Sequence, residues 1–131
     1  MKAKLLLRIA SIIMLLHTIG HTMGALSWKT APNAAVAKVI TGMQSQHFEF
    51  MGRTASLGDF YSGYGISMIF VLLLVSILLW MLSASPVKNM LVALGLFLLV
   101  LAVCEYIYFF PMAAAFSLIA AICVGLARMR S

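Results

Sequence analysis

The sequence predicts an all-α fold, a polytopic membrane four-helix bundle with an additional amphipathic helix in the outer loop between helices 1 and 2. Three observations carry this expectation. Of 131 residues, 64% are hydrophobic and only 9% are charged, with a mean hydropathy of +1.11. A soluble domain is about a quarter charged, so this chain lacks the means to cover a water-facing surface and its solvent is lipid. Apolar runs of membrane-spanning length recur along it, and basic residues gather at the ends of those runs.

The whole chain, residues 1–131, reads as one integral membrane domain. The first span covers about 5–26, behind Lys2, Lys4 and Arg8. A cleaved signal peptide is the competing reading, but Arg8 interrupts the apolar region and no clear A-x-A site follows. The second span covers about 61–82. Residues 89–127 are too long for one crossing, since about 20 residues span the hydrocarbon. Pro111, preceded by "EYIYFF", divides them into spans at about 89–109 and 111–127, because proline ends a helix and Tyr and Phe suit the interface.

The positive residues orient these spans. Lys2, Lys4, Arg8, Lys88, Arg128 and Arg130 fall on one side; Lys29, Lys38 and Arg53 are spread through the long loop on the other. The bias puts both termini in the cytoplasm and loop 27–60 on the outer face of the cytoplasmic (inner) membrane. Within that loop, "NAAVAKVITGMQSQHFEFMG" favours a helix over about 33–51, with Asn33 as its cap. Val36, Ile40, Met43 and Phe50 mark an apolar face that also holds His47, while Lys38, Ser45 and Glu49 share the opposite face.

The net charge of +6 does not signal nucleic acid, because no basic stripe interleaved with aromatics exists. Cys104 and Cys123 fall at depths differing by roughly 10 Å on this topology, more than a disulfide spans. They read as small apolar residues. No internal repeat appears. The expected partners are the lipid bilayer and a lipophilic small molecule, and the modest interior of four helices suits a homo-oligomer.

Polar groups inside the spans are few and therefore informative. The segment "IMLLHTIGHTMG" places His17 and His21 one turn apart, so they share a face of the first helix. Gly20 and Gly24 form a G-x-x-x-G on a neighbouring stripe, which lets another helix approach. Glu105 is the only acid well inside a predicted span. Asp59, Tyr61 and Tyr64 lie where the second helix begins, and His47 on the helix above them. The topology brings all these groups to the outer half of the bundle.

An imidazole beside a carboxylate forms an acid–base pair that burial and pairing can tune. The candidate catalytic residues are thus His17, His21, Glu105, His47 and Asp59, with Tyr61, Tyr64, Phe48 and Gly20 as ligand-binding residues. If enzymatic, the chemistry is of the isomerase, cyclase or hydrolase type on a lipophilic substrate. A metal or haem protein is the alternative, with His17, His21, His47 and Glu105 as ligands. "HTIGH" lacks the Glu of a zincin, and no P-loop, nucleophile elbow or dinucleotide fingerprint is present, so no cofactor is identified. A third reading is a non-catalytic membrane scaffold in which the histidines lock helix packing, Asp59 caps a helix and the tyrosines form an interfacial belt.

The blocks "HTIGHTMG", "MQSQHFEFMGR" and "DFYSGYG", in that order, carry a resemblance that extends over nearly the whole chain. They resemble a family of small bacterial four-helix integral membrane proteins with H-T-x-G-H, H-F-x-F-M-G and D-F-Y-x-G-x-G motifs. The matching positions are His17, Gly20, His21, His47, Phe48, Gly52, Asp59, Phe60, Tyr61, Gly63 and Gly65. The resemblance implies four membrane helices and no particular activity. Many relatives carry aromatic residues before the D-F-Y block, where this chain has "TASLG", so its outer pocket differs there.

Overall fold

The computed structural model describes residues 2–131. Among them lie five helices and one hairpin: α1 (Ala3–Ser27), α2 (Ala34–Ser45), β1 (His47–Phe50), β2 (Arg53–Ser56), α3 (Leu57–Leu82), α4 (Lys88–Tyr108) and α5 (Pro111–Met129). Helices α1, α3, α4 and α5 are each long and apolar enough to cross a membrane. The chain is an all-α membrane protein with a short extra helix between its first two spans. The Pro111 break is real: Phe110 is extended and Pro111 occupies the first turn of α5, where its missing N–H costs nothing.

One expected element is corrected. The helix expected at about 33–51 stops at Ser45, and residues 47–56 form an antiparallel hairpin pairing His47 with Ser56 and Phe50 with Arg53. The reason is local. "HFEF" alternates polar and apolar residues with period two, which suits a strand better than a helix. Met51 (φ 50°) and Gly52 (φ 82°) then both take left-handed conformations, as a two-residue hairpin turn of the type I′ kind demands. The seven-residue step from Met43 to Phe50 fitted a helical face only by coincidence. Asn33 does cap α2, accepting from Val36 N–H at 3.0 Å.

The chain divides into two compact units, one made of residues 2–19 with Val71–Ser131 and the other of Gly20–Phe70. In the first unit, α1 buries Leu6, Leu7, Ala10, Ser11, Met14, His17 and Thr18, a stripe recurring at three- and four-residue steps. Its other faces leave Leu5, Ile12, Leu15 and Leu16 exposed, an outward apolar surface that only lipid satisfies. Helix α5 buries small residues, Ala113, Ala114, Ser117, Ala120, Val124 and Ala127. Small residues let helices approach closely where lipid removes the hydrophobic drive between them.

Two serines tie α1 to α3 within this unit. Ser11 Oγ donates to the Ser76 carbonyl at 2.8 Å, and Ser76 Oγ donates to the Ser11 carbonyl at 2.9 Å. Beside them the Arg8 guanidinium lies 4.8 Å from the centre of the Trp80 ring.

In the second unit, the hairpin turns Phe48, Phe50, Arg53 and Ala55 to one face by strand alternation. Phe48 stacks on Phe60 of α3 with ring centres 6.0 Å apart, and Phe50 meets the same ring edge-on at 5.4 Å. Trp28 packs on Tyr61 at 4.9 Å. The close helix approach expected at Gly20 and Gly24 is not found there, since a Cβ at either would meet nothing within 4 Å. It occurs instead at Gly65, where an added Cβ would lie 3.2 Å from Ala25 Cβ. The absent side chain lets α1 and α3 close in this unit.

The serine pair generates a quantitative expectation. Ser11→Ala and Ser76→Ala should each destabilise the protein by about 1 kcal/mol, the worth of an interhelical hydrogen bond in lipid. The double variant should cost less than the sum, as reversible unfolding in mixed detergent micelles would measure.

Candidate functional site

The five titratable candidates divide between the two units: His17 and Glu105 in one, His21, His47 and Asp59 in the other. His17 Nε2 stands 3.3 Å from Glu105 Oε1. On the far side of the ring, His17 Nδ1 is 3.4 Å from Ser117 Oγ, and the Phe116 ring lies 5.7 Å from the imidazole in a near-parallel stack. Three helices thus contribute one polar side chain each. All three are enclosed, at 5% exposure for His17, 6% for Glu105 and 0% for Ser117.

The sequence builds this cluster by helical register. His17 follows Leu6, Leu7, Ala10 and Met14 on the buried stripe of α1, and Glu105 follows Leu91, Leu98 and Ala102 on that of α4. Ser117 belongs to the small-residue face of α5. A bulkier residue there would displace the imidazole.

Chemically, the arrangement is a line of three polar side chains, Ser117, His17 and Glu105, with the imidazole between hydroxyl and carboxylate. A serine hydroxyl both donates and accepts, so Ser117 accepts from Nδ1–H when the ring is an imidazolium and donates to Nδ1 when that nitrogen is bare. Either protonation state of His17 is therefore satisfied at both nitrogens. Glu105 Oε2, in contrast, is buried with no hydrogen-bond partner among the described residues. The Ser117 hydroxyl lies within reach of the Glu105 side chain as well as of the imidazole.

The other candidates have different surroundings. His21 Nε2–H donates to the Gly65 carbonyl of α3 at 3.1 Å. His47 does not sit on a buried face; on β1 it is exposed, with Nδ1–H donating to the Ser45 carbonyl at 3.0 Å. Its expected inward orientation depended on a helix that ends two residues earlier. Asp59 Oδ2 accepts from Ser56 N–H and from Ser56 Oγ–H, both at 2.9 Å, and Asp59 N–H donates back to Ser56 Oγ at 3.1 Å. That reciprocal pattern is a capping box at the start of α3. Glu49 accepts from Thr54 Oγ–H across the hairpin.

Tyr64 lines an open groove on the second unit, whereas Tyr61 is committed to Trp28. Phe48 packs against Phe60, and Gly20 borders open space. Among the described residues, no group of three or more His, Cys, Asp and Glu side chains converges as ligands. Cys104 and Cys123 are free thiols.

Sequence reasoning missed Ser117, Arg53 and Ser67. A serine among alanines on a small-residue face is a weak signal, legible only once the opposing helices are known. Arg53 was counted as a loop charge because no hairpin was expected.

Comparisons with protein-family models, with curated proteins and with solved structures gave no match.

Removing one member of an enclosed pair strands the other. Glu105→Ala should destabilise the protein by about 3 kcal/mol or more, and His17→Leu/Glu105→Leu by clearly less than the sum of its single variants. Unfolding in mixed micelles, run as a double-mutant cycle, reads the coupling directly.

Proposed function

We propose that this protein is a membrane-embedded acid–base protein for a lipophilic small molecule, with His17 and Glu105 as its working pair. The observation that carries the reading is the 3.3 Å contact between His17 Nε2 and Glu105 Oε1 in a low-dielectric interior. Charged side chains in a membrane interior are costly, and retained ones mark sites where a proton or ligand is handled. Ser117 keeps the ring oriented through both protonation states, and Oε2 of Glu105 receives or releases the proton.

Two outcomes balance chemically. In isomerisation, the pair takes a proton from one carbon of the substrate and returns it to another, so mass is unchanged. In hydrolysis, it deprotonates a water that adds to the substrate, and the departing group leaves with a proton. The substrate approaches from the lipid side after apolar side chains move aside, since the cluster is all but covered. The orientation set by the basic flanks, with both termini cytoplasmic and residues 27–60 outside the inner membrane, puts the pair in the outer half of the bilayer. The resemblance to small bacterial four-helix membrane proteins supports that cellular setting.

Near-complete enclosure favours one second reading. A His–Glu–Ser cluster that never opens is a helix lock, joining α1, α4 and α5 in a non-catalytic scaffold.

The two separate in one experiment. Purified protein is incubated with a total membrane lipid extract, and products are followed by liquid chromatography, which separates isomers of equal mass, coupled to mass spectrometry, beside His17→Gln and Glu105→Gln variants. The acid–base reading expects protein-dependent formation of an isomer or of a pair of hydrolysis products, lost in both variants while their folding, by circular dichroism and gel filtration, persists. Unchanged lipid with wild-type protein, together with variants that only lose thermal stability, leaves the helix lock standing instead.

A further inference from the structure

A groove of about 510 Å³ opens on the second unit, lined by Phe50, Met51, Arg53, Asp59, Phe60 and Tyr64, with Gly63 and Ser67 along its floor. Its volume suits a small organic ligand. Positions 59, 63 and 67 recur at four-residue steps, so the floor follows one stripe of α3 for about 12 Å, from the capping box into the apolar span. Aromatic rings wall it, and the 93% exposed Met51 stands at the hairpin tip beside its mouth.

The charges at the mouth are unusual. One cation, Arg53, and one anion, Asp59, line the same groove; Arg53 and, more weakly, His47 act on Asp59 through space, yet no ion pair joins Arg53 to Asp59. The two opposite charges face a shared space without closing on each other. Asp59 uses Oδ2 for both of its carboxylate contacts with Ser56, which leaves Oδ1 for another donor. A ligand that satisfies both carries a negative and a positive group a few bonds apart at the head of an apolar body.

We infer that this groove is a binding site for a zwitterionic phospholipid with a primary ammonium, that is, a phosphoethanolamine headgroup. The phosphate meets the Arg53 guanidinium, whose planar fork matches phosphate oxygens. The ammonium donates to Asp59 Oδ1, beside the Tyr64 ring, whose face also attracts a cation. The acyl chains run along Gly63 and Ser67. A purely anionic headgroup leaves Asp59 opposed to it. A choline headgroup cannot donate to a carboxylate. The inference is independent of the acid–base pair, which belongs to the other unit.

Gly63 supplies a probe, because a Cβ there meets nothing within 4 Å and the further atoms of a larger side chain take up groove volume. The test is native mass spectrometry of the detergent-purified full chain with phosphatidylethanolamine, phosphatidylglycerol or phosphatidylcholine of identical acyl chains. Wild-type protein should retain phosphatidylethanolamine about tenfold better than the other two, as expected for one added charge-assisted hydrogen bond. Arg53→Gln should weaken the ethanolamine and glycerol lipids alike, Asp59→Asn should erase the preference between them, and Gly63→Leu should abolish retention of all three while circular dichroism stays unchanged. Free glycerophosphoethanolamine at about thousandfold excess should not displace the lipid, because it lacks the chains. Equal retention of phosphatidylglycerol by wild-type protein, undiminished binding by Gly63→Leu, or displacement by the free headgroup would each overturn the inference.

Discussion

The contact between His17 and Glu105 is the constraint on which the first unit turns. Each side chain alone is costly to place in an apolar interior. Together, with Ser117 on the far nitrogen, they form a nearly satisfied cluster. Their geometry fixes α1, α4 and α5 rotationally as well as in depth. A helix turned by one residue, about 100°, would carry its polar group out towards lipid, where nothing could partner it. Apolar packing between membrane helices has no such specificity, since a leucine is as comfortable against lipid as against another leucine. The reciprocal Ser11–Ser76 bonds do the same for α1 and α3.

The second unit follows a different logic. Its elements are short, and it is organised by aromatic contacts and backbone conformation. Phe60 receives two phenylalanines from the hairpin, while Gly52 and Met51 supply the left-handed turn that brings them there. A methionine at a left-handed turn position is uncommon, because residues other than Gly, Asn and Asp are strained there. The consequence is an apolar tip beside a groove carrying one charge of each sign.

The architecture was readable in the sequence because lipid imposes simple rules. Span lengths, the Pro111 break and the scarcity of charge all follow from a low-dielectric solvent, and the four long helices agree with them. An imidazole beside Glu105 was legible for the same reason, but the sequence grouped His17, His21, His47 and Asp59 with it and did not single out His17. What was not legible depended on short-range choices. Phe50 falls on the helical face of Val36, Ile40 and Met43 by coincidence, which hid the period-two alternation of residues 47–50 and the Met-Gly turn that make the hairpin. With the helix went the inward placement of His47. The G-x-x-x-G at Gly20 and Gly24 named the right helix but not the glycine that admits a neighbour, because the partner's surface decides that, and Ala25 opposes Gly65.

The most direct test of the His17–Glu105 pair is nitrogen solid-state NMR of imidazole-labelled protein in lipid bilayers, compared with Glu105→Gln. The chain has three histidines, so their resonances can be assigned by single substitutions. The pair predicts a His17 Nε2 signal displaced by the neighbouring carboxylate, reverting in Glu105→Gln while the His21 and His47 signals stay in place. A His17 signal indifferent to residue 105 would contradict the account.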